Sequence, residues 1–458
     1  DRSPSRGLGD VYKRQVSGDG ERLVVRHRDD IIVVPSSHKV DGDDPACIRV
    51  DLTRLRRTVN PRAEWRQMFD ENGRLMASHY WREDMNGVDW DGVLNRYRPL
   101  VDLCHVVDDL HDILWETVAE LNTSHSYVSA SGAAGDSDMR AGLLGADVSS
   151  GDDGARVVRV IPGESSDPRA WSPLRAAGVA VTEGDVIVAV DGRKVGADGN
   201  LGELLEGSAG RVVELTVRRG ENERQVAVVP MADEAPLRYH DWVASRRRYV
   251  EEHSGGRLGY LHVPDMVSDG WAELHRQIGE ATRHEGVIAD VRFNHGGHTS
   301  QLVVERLARR VVGWDYSRWY ATADTYPQNA VRGPIVMVTN QWAGSDGDIV
   351  AAATQAMGYA KVIGERSWGG VVGIDGRFDL VDGTSVTQPR YAGWYGSYGW
   401  GVENHGVDPD IVVTVSPEDW EADRDVQLDA AIAECLRQLD DKPAATAPEL
   451  PGPAFDRC

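Results

Sequence analysis

Apolar and polar residues alternate along the first part of the chain and then change to a helical spacing. Residues 20–58 contain the stretches ERLVVRHRDD, IIVVPSS and CIRVDL, whose alternation predicts β-strands. Three such strands cannot bury a core alone, so they indicate the last part of a larger β domain. Asn60 and Pro61 then mark a helix start, as N-cap and first helical residue. Amphipathic patterns predict two further helices over residues 89–103 and 107–121.

Short apolar runs dominate residues 140–232. The runs LLGADV, ARVVRVI, DVIVAVDG, VVELTVRR and QVAVVPM predict β-strands around one short helical piece, SPLRAAGV. The sequence AAGV followed by GDVIVAVDGRKV resembles the centre of a PDZ domain, in which a helix and a strand flank a groove for an extended peptide. A generic small β-barrel is the alternative.

Strands and helices alternate from residue 256 to residue 415. The strands GRLGYLHVP, GVIADVRFN, PIVMVTN and AKVIGE are almost continuously apolar, and the segments between them have helical patterns. This arrangement predicts a mostly parallel sheet with helices on both faces. Because sites in such sheets form at the carboxyl ends of the strands, two turns become candidates, NHGGHTS and NQWAGSDGD.

Composition restricts the classes of function. The 458 residues carry a formal charge of −23 and no Lys/Arg-rich tract, which argues against binding to nucleic acid or to an anionic membrane. No apolar run approaches the roughly 20 residues of a membrane-spanning helix. The four cysteines are scattered, without a CxxC pair, which fits a reducing compartment better than a disulfide framework or a zinc site. We expect no metal and no cofactor.

The first residues of the chain, DRSPSRGLGDVYKRQ, have no apolar periodicity and lack the h-region of a signal peptide. They resemble a translated adapter from sequence assembly, so we expect residues 1–15 to be a non-native leader. On this interpretation residues 16–58 are what remains of a truncated β domain, and the native protein continues further upstream.

The turn NQWAGSDGD places one hydroxyl, that of Ser345, between a predicted strand and a predicted helix. A serine at a helix N-terminus exposes its Oγ, and the helix dipole favours negative charge beside it. The arrangement resembles a nucleophile elbow, although the GxSxG pattern is absent because residue 343 is Ala. An ordinary N-cap serine is the alternative interpretation.

The turn NHGGHTS offers backbone donors, and a histidine elsewhere in the chain offers a base. Gly296 and Gly297 follow a strand, where a backbone N–H can stabilise an oxyanion, although a plain glycine turn has the same sequence. A serine nucleophile needs a base. Among the 14 histidines, His125 stands out because it follows a predicted helix within NTSHS, although a structural histidine fits that position too.

Taken together, the motifs resemble the C-terminal half of the tricorn protease family. The order of the motifs, their spacing and their residues agree with the family's pattern across about residues 58–440. The segments are VNPRAEWRQMFDE, MNGVDWDGVLNRYRPL, LWETVAELNTSHSYV, the PDZ-like stretch, DVRFNHGGHTSQ, NQWAGSDGDI and GVENHGVDPDI. The resemblance implies that Ser345 is the nucleophile and His125 the general base. It also implies that Glu403 is the acidic member and that Ser124 links this carboxylate to the histidine. The site would then lie between the helical region and the parallel-sheet domain.

The same resemblance implies an oxyanion hole and a specificity residue. The backbone N–H groups of Asp346 and of Gly297, or of Gly296 one residue earlier, match the family's oxyanion donors. The family usually has a third glycine where this chain has His295, which is therefore either a bystander or an influence on substrate fit. Asp315, in VVGWDYSRW, matches an aspartate that a neighbouring subunit supplies to the S1 pocket, which would favour Lys or Arg at P1.

A lysine base is the alternative that the C-terminal processing peptidases suggest. These related enzymes use a Ser–Lys dyad, with the lysine in a GxKTFGKG-like segment. The matching segment here reads GERSWGGV, and Gly370 stands where the lysine would be. A glycine cannot accept a proton, so a Ser–Lys mechanism is not expected.

The resemblance implies a multidomain α+β protein that hydrolyses short peptides in the cytoplasm, downstream of larger proteases, as a homohexamer. Two alternatives are an inert PDZ-containing scaffold that binds peptides and a crotonase-fold enzyme acting on acyl-CoA thioesters. The expected regions are the leader at 1–15, the end of a truncated β-propeller at 16–58, a helical domain with the Ser-His pair at 59–135, a PDZ-like β domain at 140–235, a crotonase-like α/β catalytic domain at 236–440 and a tail at 441–458.

Overall fold

The chain consists of two units, Asp1–Glu64 and Trp65–Cys458. The computed structural model describes residues 13–27, 30–40, 44–56, 58–130, 139–196, 200–319, 321–376 and 378–450. Most of the expected non-native leader, and the last residues of the expected tail, lie outside these ranges. Among the helices of the described residues, none has the length and apolarity that crossing a bilayer requires.

The N-terminal unit contains an antiparallel sheet of four strands in the order β1-β2-β3-β4. The strands are β1 Lys13–Val16, β2 Arg22–His27, β3 Asp30–Pro35 and β4 Ile48–Arg49. Strand β1 pairs with β2 from Lys13 onwards, so it crosses the expected boundary between the leader and the β domain. No residue described in this unit is buried, which agrees with the expectation that these strands form no core alone. Their origin in a propeller stays a prediction.

The helices predicted after Asn60 and over residues 89–103 and 107–121 are confirmed. They are α1 Pro61–His79, α2 Trp90–Val101 and α3 Val107–Ala119. Asp89 caps α2 by accepting a hydrogen bond from the Gly92 amide at 3.0 Å, and the Trp90 indole N–H donates to the Gly73 carbonyl at 3.0 Å. The apolar faces meet in one core, which includes Met68, Phe69, Met76, Leu110 and Leu114. The chain then forms a short strand, β5 Val128–Ser129.

The PDZ-like region is a β domain with its own apolar core. Its elements are β6 Ala146–Gly151, β7 Gly154–Val160, β8 Val186–Val190, β9 Arg193–Lys194, α4 Leu201–Leu204, β10 Val213–Arg219 and β11 Asn222–Val228. The sheet is antiparallel, with the order β11-β10-β8-β7-β6, and β9 pairs with β8.

One helix prediction in this region is wrong. The piece SPLRAAGV forms only a 3-10 turn over Pro173–Arg175, which Ser172 caps by accepting a hydrogen bond from the Leu174 amide at 3.3 Å. The turn ends because Ala176 adopts an extended conformation, with ψ 151°. The helix of this domain is instead α4, whose single turn is too short to give a periodic signal.

The predicted parallel sheet is also confirmed, with the order β12-β13-β16-β17-β21 and parallel pairing throughout. The elements of this domain are α5 Ala235–His253, β12 Leu258–His262, α6 Ser268–Ala281, β13 Gly286–Asp290, α7 Ser300–Leu307, β14 Gly313–Asp315, β15 Asp324–Tyr326, β16 Ile335–Thr339, α8 Asp346–Met357, β17 Ala360–Gly364, β18 Gly373–Asp375, β19 Ser385–Val386, β20 Gln388–Tyr391, β21 Ile411–Val412, α9 Pro417–Glu421 and α10 Val426–Asp441.

Helices cover both faces of this sheet, as the continuous apolar strands require. Every residue of β12, β13 and β16 is buried. Val287 and Ala289 of β13 belong to the core that includes residues of α6, α7 and α8. Ile288, between them, belongs to the opposite core, which includes residues of α5 and α10. The carboxyl ends of β13 and β16 therefore lie side by side, and the two candidate turns leave the sheet at the same edge.

Candidate active site

The turn that carries Ser345 joins β16 to α8. Ser345 is the N-cap residue of α8, with φ 58° and ψ −118°, a conformation that a non-glycine residue adopts only where its surroundings enforce it. Its carbonyl accepts hydrogen bonds from the amides of Asp348 at 2.9 Å and Ile349 at 3.1 Å, which start the helix. Its Oγ makes no capping hydrogen bond. Ser345 thus occupies the N-cap position, but its hydroxyl does not cap the helix.

The glycine turn lies directly against this serine. A Cβ placed on Gly296 would be 2.5 Å from the Ser345 Cβ and 3.1 Å from its Oγ, so only glycine allows so close an approach. Gly344 is restricted in the same way, since a Cβ there would lie 2.7 Å from the Trp368 ring. The two turns that sequence alone makes candidates thus meet at one hydroxyl.

Two backbone amides at this meeting point have no hydrogen-bond acceptor among the described residues. They belong to Gly297 and to Asp346, the first residue of α8. The Gly296 amide, in contrast, donates to the Asn294 side chain at 2.9 Å. The Asp346 carboxylate accepts from the Ser300 amide at 3.0 Å, which joins the starts of α8 and α7. Of the two glycines that the sequence offers as oxyanion donors, only Gly297 has a free N–H.

Ser124, His125 and Glu403 form a continuous chain of hydrogen bonds. The Ser124 Oγ donates to Glu403 Oε2 at 3.0 Å and lies 2.9 Å from His125 Nδ1. The Ser124 amide donates to Glu403 Oε1 at 2.7 Å. Because Nδ1 faces Ser124, Nε2 is the imidazole nitrogen that remains available to a further partner.

Backbone donors hold the Glu403 carboxylate in place. The amides of Val371 and Val372 donate to Oε2 at 2.8 and 3.0 Å. With the two bonds from Ser124, this carboxylate accepts four hydrogen bonds. These four bonds fix the position of the Glu403 carboxylate against Ser124.

His125 is half-buried between two aromatic rings. Its imidazole meets Trp368 edge-on at 5.5 Å between ring centroids and Tyr127 at 5.7 Å. Burial lowers the pKa of His125 from its ordinary value, and the nearby Glu403 charge offsets only part of this effect. Trp368 also packs on Gly344 of the nucleophile turn, so one ring contacts both the histidine and the turn of Ser345.

The segment that carries His125 is anchored to the parallel-sheet domain. Strand β5, just beyond the histidine, pairs antiparallel with β19. The Thr387 hydroxyl donates to the His125 carbonyl, and the Asn404 side chain donates to the Asn122 carbonyl at 2.8 Å. The segment of His125 is therefore joined to the domain whose β16–α8 turn carries Ser345.

Two of the sequence candidates, Asp315 and His295, have exposed side chains. Asp315 is exposed on β14, opposite Asp324 of β15, and has no described contact with the Ser345 turn. His295 is exposed as well, and its amide donates to the Pro264 carbonyl at 3.0 Å. Within the described residues, no group of three or more His, Cys, Asp or Glu side chains is arranged to hold a metal ion.

Gly370 has no room for a side chain. A Cβ on this glycine would lie 2.2 Å from the Trp368 ring, so a lysine there would displace the tryptophan that packs on His125. In the sequence this segment excludes a lysine, and in the structure the two amides that follow Gly370 hold Glu403. Main-chain donors leave no residue signature, so the sequence could not have revealed this role.

Three family models match parts of this chain. Residues 257–413 match peptidase family S41, residues 142–233 match the tricorn protease PDZ domain, and residues 61–119 match the tricorn protease C1 domain. The chain thus combines a PDZ domain with a region of the S41 peptidase family in a mixed α/β architecture.

Individual tricorn proteases are similar to almost the whole of this chain. Tricorn protease homolog 1 of Streptomyces coelicolor is 58% identical over 97% of this chain and 42% of its own length. Tricorn protease of Thermoplasma acidophilum is 36% identical over 93% of the chain and 39% of its length. A crystal structure of the tricorn protease superposes with a TM-score of 0.87 at 34% identity, covering 93% of this chain and 41% of that one. The chain belongs to the tricorn protease family and spans about two fifths of the length of these relatives.

Proposed function

We propose that this chain hydrolyses peptide bonds through a Ser345–His125–Ser124–Glu403 tetrad. The observation that carries the proposal is the hydrogen-bonded chain from Glu403 through Ser124 to His125, whose ring packs on the tryptophan that contacts the turn of Ser345, a serine whose hydroxyl makes no capping hydrogen bond. Two unpaired amides next to the same hydroxyl support an acyl-transfer mechanism, because such a reaction develops negative charge on an oxygen.

In the proposed mechanism, His125 Nε2 takes the proton of Ser345 Oγ as this oxygen attacks the carbonyl carbon of the scissile bond. The amides of Gly297 and Asp346 stabilise the oxyanion of the tetrahedral intermediate. The imidazolium then gives its proton to the leaving amine, and an acyl-enzyme remains. Water, activated by the same histidine, releases the acid. Glu403 stabilises the imidazolium through Ser124, whose hydroxyl relays the interaction without changing its charge.

The family resemblance supports further proposals about substrates and assembly. We propose short peptides as substrates, a homohexamer as the active assembly and the cytoplasm as the compartment. Asp315 is proposed to enter the S1 pocket of a neighbouring subunit, which its exposed position on β14 permits. Sedimentation velocity tests the hexamer, and a preference for Leu over Lys or Arg at P1 would count against the role of Asp315.

We further propose that residues 16–58 end a β-propeller, that residues 59–135 form a helical domain and that residues 236–440 have a crotonase-like fold.

Activity-based labelling tests the proposed function directly. The chain is treated with a serine-reactive fluorophosphonate, the modified residue is located by mass spectrometry, and hydrolysis of fluorogenic tripeptides and of an acyl-CoA is measured in parallel. We expect modification at Ser345 together with tripeptide hydrolysis. A folded chain with neither would favour a peptide-binding scaffold, and thioester hydrolysis without peptide hydrolysis would favour the acyl-CoA chemistry.

The rate of peptide hydrolysis is expected to depend on pH through His125. Burial lowers the pKa of this histidine below its ordinary 6.5, so the neutral base persists to lower pH. Because the base acts in its neutral form, kcat/KM should rise with pH, through a midpoint below 6.5, and then level off. The check is a profile of kcat/KM between about pH 5 and 8. A flat profile, or a midpoint well above the ordinary value, would contradict a neutral histidine base.

Glu403→Gln is expected to lower kcat by about 10²- to 10⁴-fold with little change in stability, since a misoriented histidine costs up to the larger factor in serine peptidases. An amide keeps the shape of the side chain but replaces one acceptor by a donor, which opposes the N–H and O–H groups now facing it. Tripeptide kinetics measure the effect, with Glu223→Gln on the exposed edge of β11 as the matched control. An unchanged kcat would remove Glu403 from the tetrad.

A further inference from the structure

Asp348 is a buried carboxylate that the proposed mechanism does not use. It is the third residue of α8, three residues after Ser345, and its relative exposure is 0%. Its Oδ1 accepts hydrogen bonds from the Ser367 hydroxyl and from the Gly369 amide at 2.8 Å, and its Oδ2 accepts from the Gly370 amide at 3.3 Å. One side chain thus joins the helix of the nucleophile to the segment 367–370.

The segment that Asp348 holds continues into the donors of Glu403. The next two amides, those of Val371 and Val372, donate to the Glu403 carboxylate. The chain from Asp348 to Glu403 is therefore short: a carboxylate, two glycine amides and the two valine amides that follow. Any shift of the segment at Gly369 or Gly370 moves the groups that fix the acidic member of the tetrad.

A second set of contacts locks this segment to the turn that bears Glu403. The Asn404 amide donates to the Gly369 carbonyl at 2.7 Å, and the Ser367 hydroxyl accepts from the Val407 amide at 2.9 Å. A Cβ on Gly369 would lie 2.5 Å from the Gly406 amide nitrogen, so the two backbones are in direct contact. Asp348 consequently acts on Glu403 in two ways. It holds the segment whose Val371 and Val372 amides donate to Glu403, and this same segment contacts the turn that bears Glu403.

Burial makes this carboxylate expensive unless its hydrogen bonds are kept. Desolvation raises the pKa of Asp348 to about 6, although the bonds from Ser367, Gly369, Gly370 and the Ser345 amide lower it. Burial raises the pKa of the Tyr395 hydroxyl to about 12, with further contributions from the charges of Asp346 and Asp348, so both carboxylates lie near this hydroxyl. No cation pairs with Asp348 in the described structure, so backbone and hydroxyl donors alone stabilise the charge.

We infer that Asp348 is a positioning residue that fixes Glu403, and through it the Ser124–His125 pair, relative to Ser345. The inference rests on the proposed function. A positioning role differs from a general structural role, because the hydrogen bonds of Asp348 join the helix that begins after Ser345 to the segment that holds Glu403. In the proposed mechanism the relative placement of these two elements sets the rate. A displacement of about 1 Å at reacting groups can cost roughly 10²-fold in rate, so the loss of this connection should be visible in kcat.

Asp348→Asn tests the inference in the full chain. The amide keeps the size of the side chain but places an NH₂ group against one of the N–H donors, so the segment must move. We expect kcat for a fluorogenic tripeptide to fall by about 10²-fold with KM within about threefold, because ground-state binding does not involve this group. The rate of fluorophosphonate labelling of Ser345 should fall in parallel.

A double-mutant cycle separates positioning from simple destabilisation. If Asp348 acts through Glu403, then Asp348→Asn combined with Glu403→Gln should lower kcat hardly more than the more severe single substitution. Asp185→Asn is the matched control, since Asp185 is a buried carboxylate of the PDZ-like domain that pairs with Arg219. Thermal unfolding of both Asp→Asn variants compares their stability, and the control should keep the kcat of the wild type.

The outcomes are distinct. Wild-type kcat in folded Asp348→Asn, or additive effects in the cycle, would overturn the role of Asp348 while the proposed function stands. A wild-type chain without labelling at Ser345 and without peptide hydrolysis would refute the proposed function and the inference with it. If Asp348→Asn does not fold, Ser367→Ala takes its place, because it removes one donor to Asp348; an unchanged kcat there would overturn the inference.

Discussion

Ser345→Ala is expected to lower kcat for peptide hydrolysis by about 10⁴-fold or more, because the proposed acyl-enzyme forms on the hydroxyl that this substitution removes. The substitution should leave the fold intact. The Ser345 Oγ makes no capping hydrogen bond, and alanine has the same Cβ in the strained conformation, so the strain of the turn is unchanged. We expect the free energy of unfolding to change by less than about 1 kcal/mol, as for substitutions that remove no buried contact.

Kinetics with a fluorogenic tripeptide and a thermal unfolding curve together test this expectation. Ser150→Ala is the matched control, because Ser150 is an exposed serine on β6 of the PDZ-like domain, and it should keep the wild-type kcat. Fluorophosphonate labelling must vanish in Ser345→Ala and persist in the control. If Ser345→Ala retained the kcat of the wild type, the nucleophile would be a different residue.

The parallel sheet was predictable because its strands are buried on both faces. β12, β13 and β16 therefore read as continuous apolar runs between amphipathic helices, a pattern that few other folds produce. α5 gives no comparable signal, since it contains the polar run SRRRYVEEH and buries only Leu237, Val243 and Val250. The 3-10 turn at Pro173–Arg175 resembles a helix in its composition, and only the extended conformation of Ala176 separates the two.

The candidate site takes its residue types from the sequence, whereas the register of its glycine turn is visible only in the structure. The choice between Gly296 and Gly297 depends on the Asn294 side chain, which occupies the first amide and leaves the second free. No pattern in the sequence marks that hydrogen bond. Asp348 had a faint signal, because a Ser followed three residues later by an acidic residue is the spacing of a capping box. Its actual partners, Gly369 and Gly370, follow it by some twenty residues and could not be inferred from that spacing.

His125→Ala is expected to reduce kcat about as severely as Ser345→Ala, by about 10⁴- to 10⁶-fold. The imidazole is the only neutral base that the hydrogen-bond chain from Glu403 presents, and Gly370 leaves no space for a lysine in its place. Combining both substitutions should cost little more than either alone, since nucleophile and base act as one unit. His105→Ala, an exposed histidine before α3, is the matched control and should keep the wild-type kcat.

Chemical rescue distinguishes loss of the base from loss of structure. In His125→Ala, the space between the rings of Trp368 and Tyr127 remains, because both rings belong to segments with their own anchors: the Trp368 amide donates to the Ala343 carbonyl at 3.0 Å, and the Tyr127 amide donates to Thr387 at 2.7 Å. Free imidazole should enter this space and restore part of the activity in proportion to its neutral form. Rescue should therefore increase with pH through the pKa of imidazole itself. Activity of His125→Ala that equals the wild type without imidazole would show that another group takes the proton of Ser345.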